Sequence, residues 1–220
     1  MKLVFYSGGD ERQNLKLDKS LLGLINKKNP LVTFIPSSSY LSEQEFKAFI
    51  RHYSKYKIRK FLHFPVDIPF DNILMNEVFK SDVIHLAGGN TFYFLNSLRK
   101  NRLLNELKKF AERGGILTGL SAGAIIMTEN ISTAGYPDFD RDENEVGLKN
   151  LSALNLVDFL FFPHFRNSDR YDNAFKRFSK LSNKNIFACP DGSGIVINEE
   201  ETSFMGRVFL FSNGNKITIN

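Results

Sequence analysis

The sequence has 220 residues, a length that one α/β domain can account for. Hydrophobic residues make up 42% and charged residues 24%, which is ordinary globular usage and excludes long disordered regions. The formal net charge is +5, but lysine and arginine are spread along the chain, so the charge does not indicate a nucleic-acid partner.

In the first half of the chain, short apolar runs alternate with longer stretches of helical period. The five runs that precede Ser121 lie at residues 2–6, 31–35, 60–64, 82–86 and 116–119. Between them, Ser42 and Glu45 have the spacing of a capping box, and Asn90 is placed to cap the helix that follows it. The alternation predicts a mostly parallel sheet with helices on both faces.

The second half is less regular. We expect a short helix after Ser121 and then an acidic loop over residues 129–150. Two further strands are predicted at 159–162 and 186–188, with a polar helix from about residue 169 to residue 180 between them. The last 26 or so residues alternate and turn at Ser212-Asn213-Gly214, which predicts an antiparallel hairpin at the sheet edge. Together these elements predict a single α/β domain over residues 1–220.

The segment Gly119-Leu120-Ser121-Ala122-Gly123 follows a predicted strand and opens a helix, which is the context of a nucleophile elbow. Such a sharp turn strains the serine backbone, so its neighbours must lack bulk. The helix N-terminus directs free N–H groups toward developing negative charge. Ser121 is therefore a candidate nucleophile, the alternative being a glycine-rich helix entry with a buried serine.

A second small-residue turn, from Ala87 to Thr91, ends the fourth predicted strand and again leads into a helix. A backbone N–H of Gly88 or Gly89, paired with that of Ala122, could stabilise a substrate oxyanion. The alternative is a tight strand-to-helix turn. Two such turns at adjacent strand ends favour a site at this edge of the sheet.

A hydroxyl nucleophile needs a base, and histidine is the usual one. Of the four histidines, His52 lies on a helix rich in basic residues, whereas His63 and His85 lie within predicted strands. His164 follows the strand at 159–162, and we expect it at the same sheet edge as the candidate nucleophile. We therefore interpret His164 as the base.

Two chain orders remain open for the acid that would orient the imidazole. Asp191 follows Cys189-Pro190 at the end of the next predicted strand, although it could also be a turn aspartate. In an esterase of α/β-hydrolase type the acid precedes the histidine, and the candidates would be Asp138, Asp140 and Asp158.

Cys189 is the only cysteine, which excludes an internal disulfide and suits a reducing compartment. Only four apolar residues follow Lys2 before a polar turn, too few for a signal-peptide core, and no segment approaches the roughly 20 apolar residues that span a bilayer. Motifs such as H-E-x-x-H are absent. We expect a cytoplasmic protein with no membrane partner, no metal and no cofactor, and Cys189 as a buried apolar residue.

Four segments resemble the peptidase E family of serine peptidases, the aspartyl dipeptidases, which are distantly related to cyanophycinase. Residues 87–92 resemble its G-G-N-T-F turn, and residues 121–124 resemble its S-A-G-A nucleophile segment. Pro163-His164-Phe165 resembles its base segment, and Pro190-Asp191-Gly192 is similar to the segment that carries its third triad member.

The resemblance implies a flavodoxin-like sheet related to that of the class I glutamine amidotransferases, and a triad of Ser121, His164 and Asp191. It also implies hydrolysis of small peptides, with a preference for N-terminal aspartate as a further hypothesis.

The substrate-binding candidates are Asn90, Arg166 and Arg170, because an arginine can pair with a carboxylate in two hydrogen bonds. The expected partner is a small peptide, and a monomer or a homodimer would both fit. A non-catalytic homologue that binds peptides is the alternative from another class.

Overall fold

The computed structural model describes every residue from Met1 to Asn220. A seven-stranded sheet forms its centre. Its strands are β1 Lys2–Tyr6, β2 Leu31–Ile35, β3 Lys60–His63, β4 Val83–Leu86, β5 Ile116–Leu120, β8 Gly194–Asn198 and β9 Glu201–Met205. Their order across the sheet is β3-β2-β4-β5-β1-β8-β9. The strands β1 to β5 are parallel, and β8 and β9 extend the sheet in antiparallel register.

Helices cover both faces of this sheet. In β1, Leu3 and Phe5 pack into one apolar cluster, whereas Val4 and Tyr6 pack into another, as the two-residue period of a strand requires. The helices are α1 Leu15–Leu24, α2 Ser42–Ser54, α3 Asn72–Val78, α4 Thr91–Lys100, α5 Leu103–Glu112, α6 Ala122–Ile126 and α7 Asp169–Ser182. The predicted fold class, a mostly parallel sheet between helices, is confirmed.

Four further strands, β6 Leu160–Phe162, β7 Ile186–Ala188, β10 Phe209–Ser212 and β11 Asn215–Thr218, form a second sheet. Their order across this sheet is β11-β10-β7-β6. The predicted C-terminal hairpin is present as β10 and β11, and it lies at the edge of this second sheet.

The expectation that His164 ends a strand of the same sheet as Ser121 is wrong. His164 follows β6, in the second sheet, whereas Ser121 follows β5, in the first. β6 and β7 have three residues each, and alternate residues of the two strands pack with Phe175 of α7 into an apolar cluster of their own, namely Leu160, Phe162, Ile186 and Ala188. An apolar run of three residues does not indicate which of two sheets the strand will join.

The two predicted helix caps have different outcomes. The Asn90 side chain accepts a hydrogen bond from the N–H of Tyr93 at 2.9 Å, so it caps α4 as predicted. The prediction of a capping box at Ser42 is wrong, because Leu41 occupies the cap position. The Ser42 hydroxyl instead donates to the carbonyl of Ser39 at 2.9 Å. None of the seven helices combines the length and the apolar character needed to cross a bilayer.

Candidate active site

Ser121 lies in the turn between β5 and α6 with φ of 50° and ψ of −110°. This conformation is costly for a residue with a side chain. The turn brings the helix close against β4, since a Cβ at Gly123 would lie 2.6 Å from the carbonyl carbon of Leu86. The strain and the absence of bulk that the sequence predicts for this turn are therefore present.

His164 bridges Ser121 and Asp191. Its Nε2 lies 2.9 Å from Oγ of Ser121, and its Nδ1 lies 2.7 Å from Oδ1 of Asp191. Ser121 follows β5, whereas His164 and Asp191 follow the paired parallel strands β6 and β7 of the second sheet. With Nδ1–H donating to the carboxylate, Nε2 is free to accept the serine proton.

The other candidate acids do not hydrogen-bond to His164. Asp138 pairs with Arg141, at 3.3 Å, and Asp140 accepts a hydrogen bond from the hydroxyl of Tyr171 at 2.5 Å. Asp158 is exposed, in the loop before β6. The geometry therefore favours Asp191 over the chain order of an α/β-hydrolase.

Three backbone N–H groups of the two small-residue turns, those of Gly88, Gly89 and Ala122, donate to no acceptor within the protein. A Cβ at Gly88 would lie 3.6 Å from the Cβ of Ser121, which places Gly88 beside Ser121. Gly89 instead packs on Ser37. Free donors at this position can stabilise a developing oxyanion.

The segment that follows β1 joins the two loops that carry His164 and Asp191. The Ser7 hydroxyl, fully buried, donates to the carbonyl of Cys189 at 2.6 Å and accepts from the backbone N–H of His164 at 2.8 Å. The carbonyl of Gly8 accepts from the N–H of Gly192 at 2.9 Å. The polarity of this segment predicts only a turn, and the signal for its role at the site is that Ser7-Gly8-Gly9 is a small-residue turn after a parallel strand.

Replacing Gly8 by alanine should misplace the imidazole. A Cβ at Gly8 would overlap Cε1 of His164 and Oδ1 of Asp191, and it would lie 2.6 Å from Nδ1. Because a displacement of about 1 Å can cost about 100-fold in rate, we expect kcat on a cleaved dipeptide to fall about 100-fold.

The matched control is Gly23→Ala in α1, where a Cβ meets nothing within 4 Å. This variant should keep wild-type kcat and thermal stability. If Gly8→Ala also keeps wild-type kcat, His164 is not held against Gly8 in the working enzyme.

A cavity of about 570 Å³ opens beside Ser121 and His164, and Arg166 is among its lining residues. Arg166 makes no hydrogen bond or ion pair with another side chain. Arg170 does not line the cavity, because its guanidinium lies 3.6 Å above the ring centre of Phe139. Both arginines are candidates for substrate binding from the sequence, but in the structure only Arg166 lines this cavity.

Asn90 does not line this cavity either. Its oxygen caps α4, and its amide nitrogen donates to the carbonyl of Glu143 at 2.8 Å. Both ends of the side chain are therefore engaged within the protein.

The remaining candidates for chemistry lie away from Ser121 or are inactivated by burial. Burial lowers the pKa of His85 to about 4, and this histidine bonds to Thr118. His63 stacks on Phe46. Cys189 is buried, so the prediction of a buried apolar residue is confirmed, and this burial raises the pKa of its thiol well above the usual range.

Comparisons with known proteins cover nearly the whole chain. The model of peptidase family S51 matches residues 3–205. An uncharacterized peptidase of Pasteurella multocida is 30% identical over 182 residues, which are 82% of this chain and 86% of that protein. A peptidase E of a Nostoc species is 25% identical over 214 residues, 90% of this chain and 81% of its own length.

Among solved structures, that of a peptidase from an acI-B1 actinobacterium has a TM-score of 0.76 at 18% identity. The match covers 100% of this chain and 93% of the other. The similarity in fold therefore includes both sheets.

Proposed function

Since this chain belongs to peptidase family S51 and is a peptidase, we propose that it cleaves small peptides with Ser121 as nucleophile, His164 as base and Asp191 as the orienting acid. The observation that carries this proposal is the continuous hydrogen-bonded chain, 2.9 Å from Ser121 to His164 and 2.7 Å from His164 to Asp191. The strained turn at Ser121 supports it further.

In the proposed mechanism, Nε2 of His164 takes the Ser121 proton as Oγ attacks the peptide carbonyl carbon. The carbonyl oxygen becomes an oxyanion that accepts hydrogen bonds from the N–H groups of Gly88 and Ala122, with Gly89 as a further candidate donor. The imidazolium then protonates the leaving amine, while Asp191 stabilises its charge. Water, activated by His164, hydrolyses the acyl-enzyme and releases Ser121.

Labelling with a fluorophosphonate tests whether Ser121 is an activated nucleophile. We expect one adduct per chain, on Ser121, and loss of dipeptide hydrolysis in parallel with labelling, because phosphonylation requires the hydroxyl to be deprotonated during attack. Absence of labelling in a folded chain that still binds peptides would instead support the non-catalytic peptide-binding alternative.

We further propose that Arg166 pairs with a carboxylate of the substrate, with an N-terminal aspartate as the candidate residue. Arg166 lines the cavity that holds Ser121 and His164, and it forms no ion pair with Asp140 or Asp142, which line the same cavity. A planar guanidinium can bind a carboxylate through two parallel hydrogen bonds. Arg170 is stacked on Phe139, so it is the less suitable of the two.

Arg166→Ala should raise KM for Asp-Leu about 10-fold or more and leave KM for Asn-Leu nearly unchanged, because only the first peptide loses a charge-assisted pair. Arg170→Ala is the matched control and should have a much smaller effect. Steady-state hydrolysis of both peptides measures these values. Equal wild-type rates on Asp-Leu, Asn-Leu and Ala-Leu would rule out acidic specificity.

A further inference from the structure

A second cavity, of about 400 Å³, adjoins the nucleophile turn. Its lining includes Leu120, the residue before Ser121, and Gly88, which lies beside Ser121. His164 does not line it, so this cavity is distinct from the one that contains the proposed base. We call it the acidic cavity, after its lining carboxylates Asp10, Glu11, Asp18 and Glu45.

The charge of the acidic cavity is opposite to that of the chain. Although the sequence has 29 lysines and arginines, none of them lines this cavity. Glu45 and Asp10 form no ion pair, and partial burial raises the pKa of Glu45. A carboxylate that lines a cavity and has no cationic partner favours the binding of a positively charged ligand there.

The histidines of the cavity offset only part of this charge. His85 is neutral near pH 7, since burial lowers its pKa to about 4. His52 pairs with the buried Asp18 at 2.8 Å and lies 3.3 Å from Glu11, and these contacts, led by the hydrogen bond to Asp18, raise its pKa. Glu11 also pairs with Lys55, which lies outside the lining.

Asn14 supplies a second, independent indication of a ligand. It lines the acidic cavity with only 9% of its surface exposed, and its Oδ1 accepts no hydrogen bond. Its amide nitrogen donates to the carbonyl of Gly9 at 3.2 Å. A buried acceptor without a partner is costly, and a ligand that brings N–H donors into the cavity would remove that cost.

Apolar side chains line the acidic cavity together with the carboxylates. Among them are Ala87, Leu120 and Phe49. Tyr6 pairs with Leu120 in the sheet, and its hydroxyl donates to Asp18 at 3.1 Å. The carboxylate of Asp18 thus lies about one tyrosine side chain from the strand end, which is comparable to the length of a lysine side chain. Tyr53 and His52 also bond to Asp18, so Asp10 and Glu45 are the lining carboxylates without an ion pair that a cationic tip could meet.

A bare metal ion does not fit, because no group of three or more His, Cys, Asp or Glu side chains is arranged to hold one. An aliphatic arm with a cationic tip fits both the apolar walls and the carboxylates. We propose that the acidic cavity is a subsite for a basic side chain of the substrate, lysine or arginine, next to the bond that Ser121 attacks. The proposal rests on the proposed function of Ser121.

Two peptide pairs test this subsite and distinguish the position of the basic residue. Lys-Leu is compared with norleucyl-Leu, and Asp-Lys with Asp-norleucine, so that only the ammonium changes within a pair. We expect kcat/KM to favour the lysine peptide about 10-fold in one pair. In Glu45→Gln this preference should fall to about 2-fold.

Glu43→Gln is the matched control, since Glu43 lies on the same helix but does not line the cavity. It should keep the wild-type preference. A preference near one in both pairs, or one that Glu45→Gln and Glu43→Gln change equally, would overturn the subsite. Failure of wild type to hydrolyse any of the four peptides would overturn the proposed function.

Phosphonate probes test the cavity without relying on peptide hydrolysis. We expect 6-aminohexyl fluorophosphonate to label Ser121 about 10-fold faster than hexyl fluorophosphonate in wild type, and at a similar rate in Glu45→Gln. Equal rates of the two probes in wild type would overturn the subsite. No labelling by either probe would overturn the assignment of Ser121 as nucleophile.

Discussion

Ser121→Ala is expected to lower kcat for peptide hydrolysis on the order of 10⁶-fold, the cost of losing the nucleophile in a serine hydrolase. Ser121 Oγ is the hydroxyl that lies within hydrogen-bond distance of His164 Nε2, at 2.9 Å. No other hydroxyl contacts that nitrogen, so no side chain can replace the nucleophile. Steady-state kinetics on a dipeptide library measures the effect.

The fold of Ser121→Ala should be retained, because alanine accepts the strained turn about as well as serine does. Thermal unfolding checks this. Ser54→Ala is a matched control, since Ser54 lies on α2 and its hydroxyl makes no hydrogen bond; it should keep wild-type kcat. If Ser121→Ala keeps even a tenth of wild-type turnover, the nucleophile has been misassigned.

Asp191→Asn is expected to lower kcat about 10⁴-fold with folding unchanged. The carboxylate accepts a hydrogen bond from Nδ1 of His164 at 2.7 Å and thereby leaves Nε2 without a proton. Asparagine has the same shape but can present an N–H donor, which favours the tautomer with its proton on Nε2. That imidazole cannot accept the Ser121 proton, and the imidazolium that forms later also loses its stabilising charge.

Asn substitutions at Asp138, Asp140 and Asp158 are the controls for this prediction. None of these carboxylates contacts His164, so each variant should lose far less activity than Asp191→Asn. Near wild-type activity of Asp191→Asn, together with collapse in one of the other three, would favour the acid-before-histidine order of the α/β-hydrolases.

The fold class and the site segments were accessible from the sequence because their signals are local. The alternation of apolar runs and helical stretches predicted the mostly parallel sheet, and the turns around Ser121 and Gly88 were recognised from small residues between a strand and a helix. The resemblance to the peptidase E family is confirmed by the match to peptidase family S51 over residues 3–205.

The prediction of a capping box at Ser42 is wrong because a different local structure forms at the start of α2. Ser42 and Glu45 have the spacing of a capping box, but Leu41 occupies the cap in a left-handed conformation, with φ of 58°. Ser42 consequently lies within the first turn of α2, and its hydroxyl bonds backwards to Ser39.

Strand pairing was decided only in three dimensions. His164 and Asp191 belong to a second sheet, and they meet Ser121 because the segment after β1 holds their loops through the Ser7 hydroxyl and the Gly8 carbonyl. Those contacts join residues more than 150 positions apart in the chain. The acidic cavity likewise gathers its carboxylates from α1, α2 and the loop before α1. Periodicity, caps and turns are set by neighbours in sequence, whereas sheet membership, buried hydrogen bonds and cavity charge depend on which distant segments pack together.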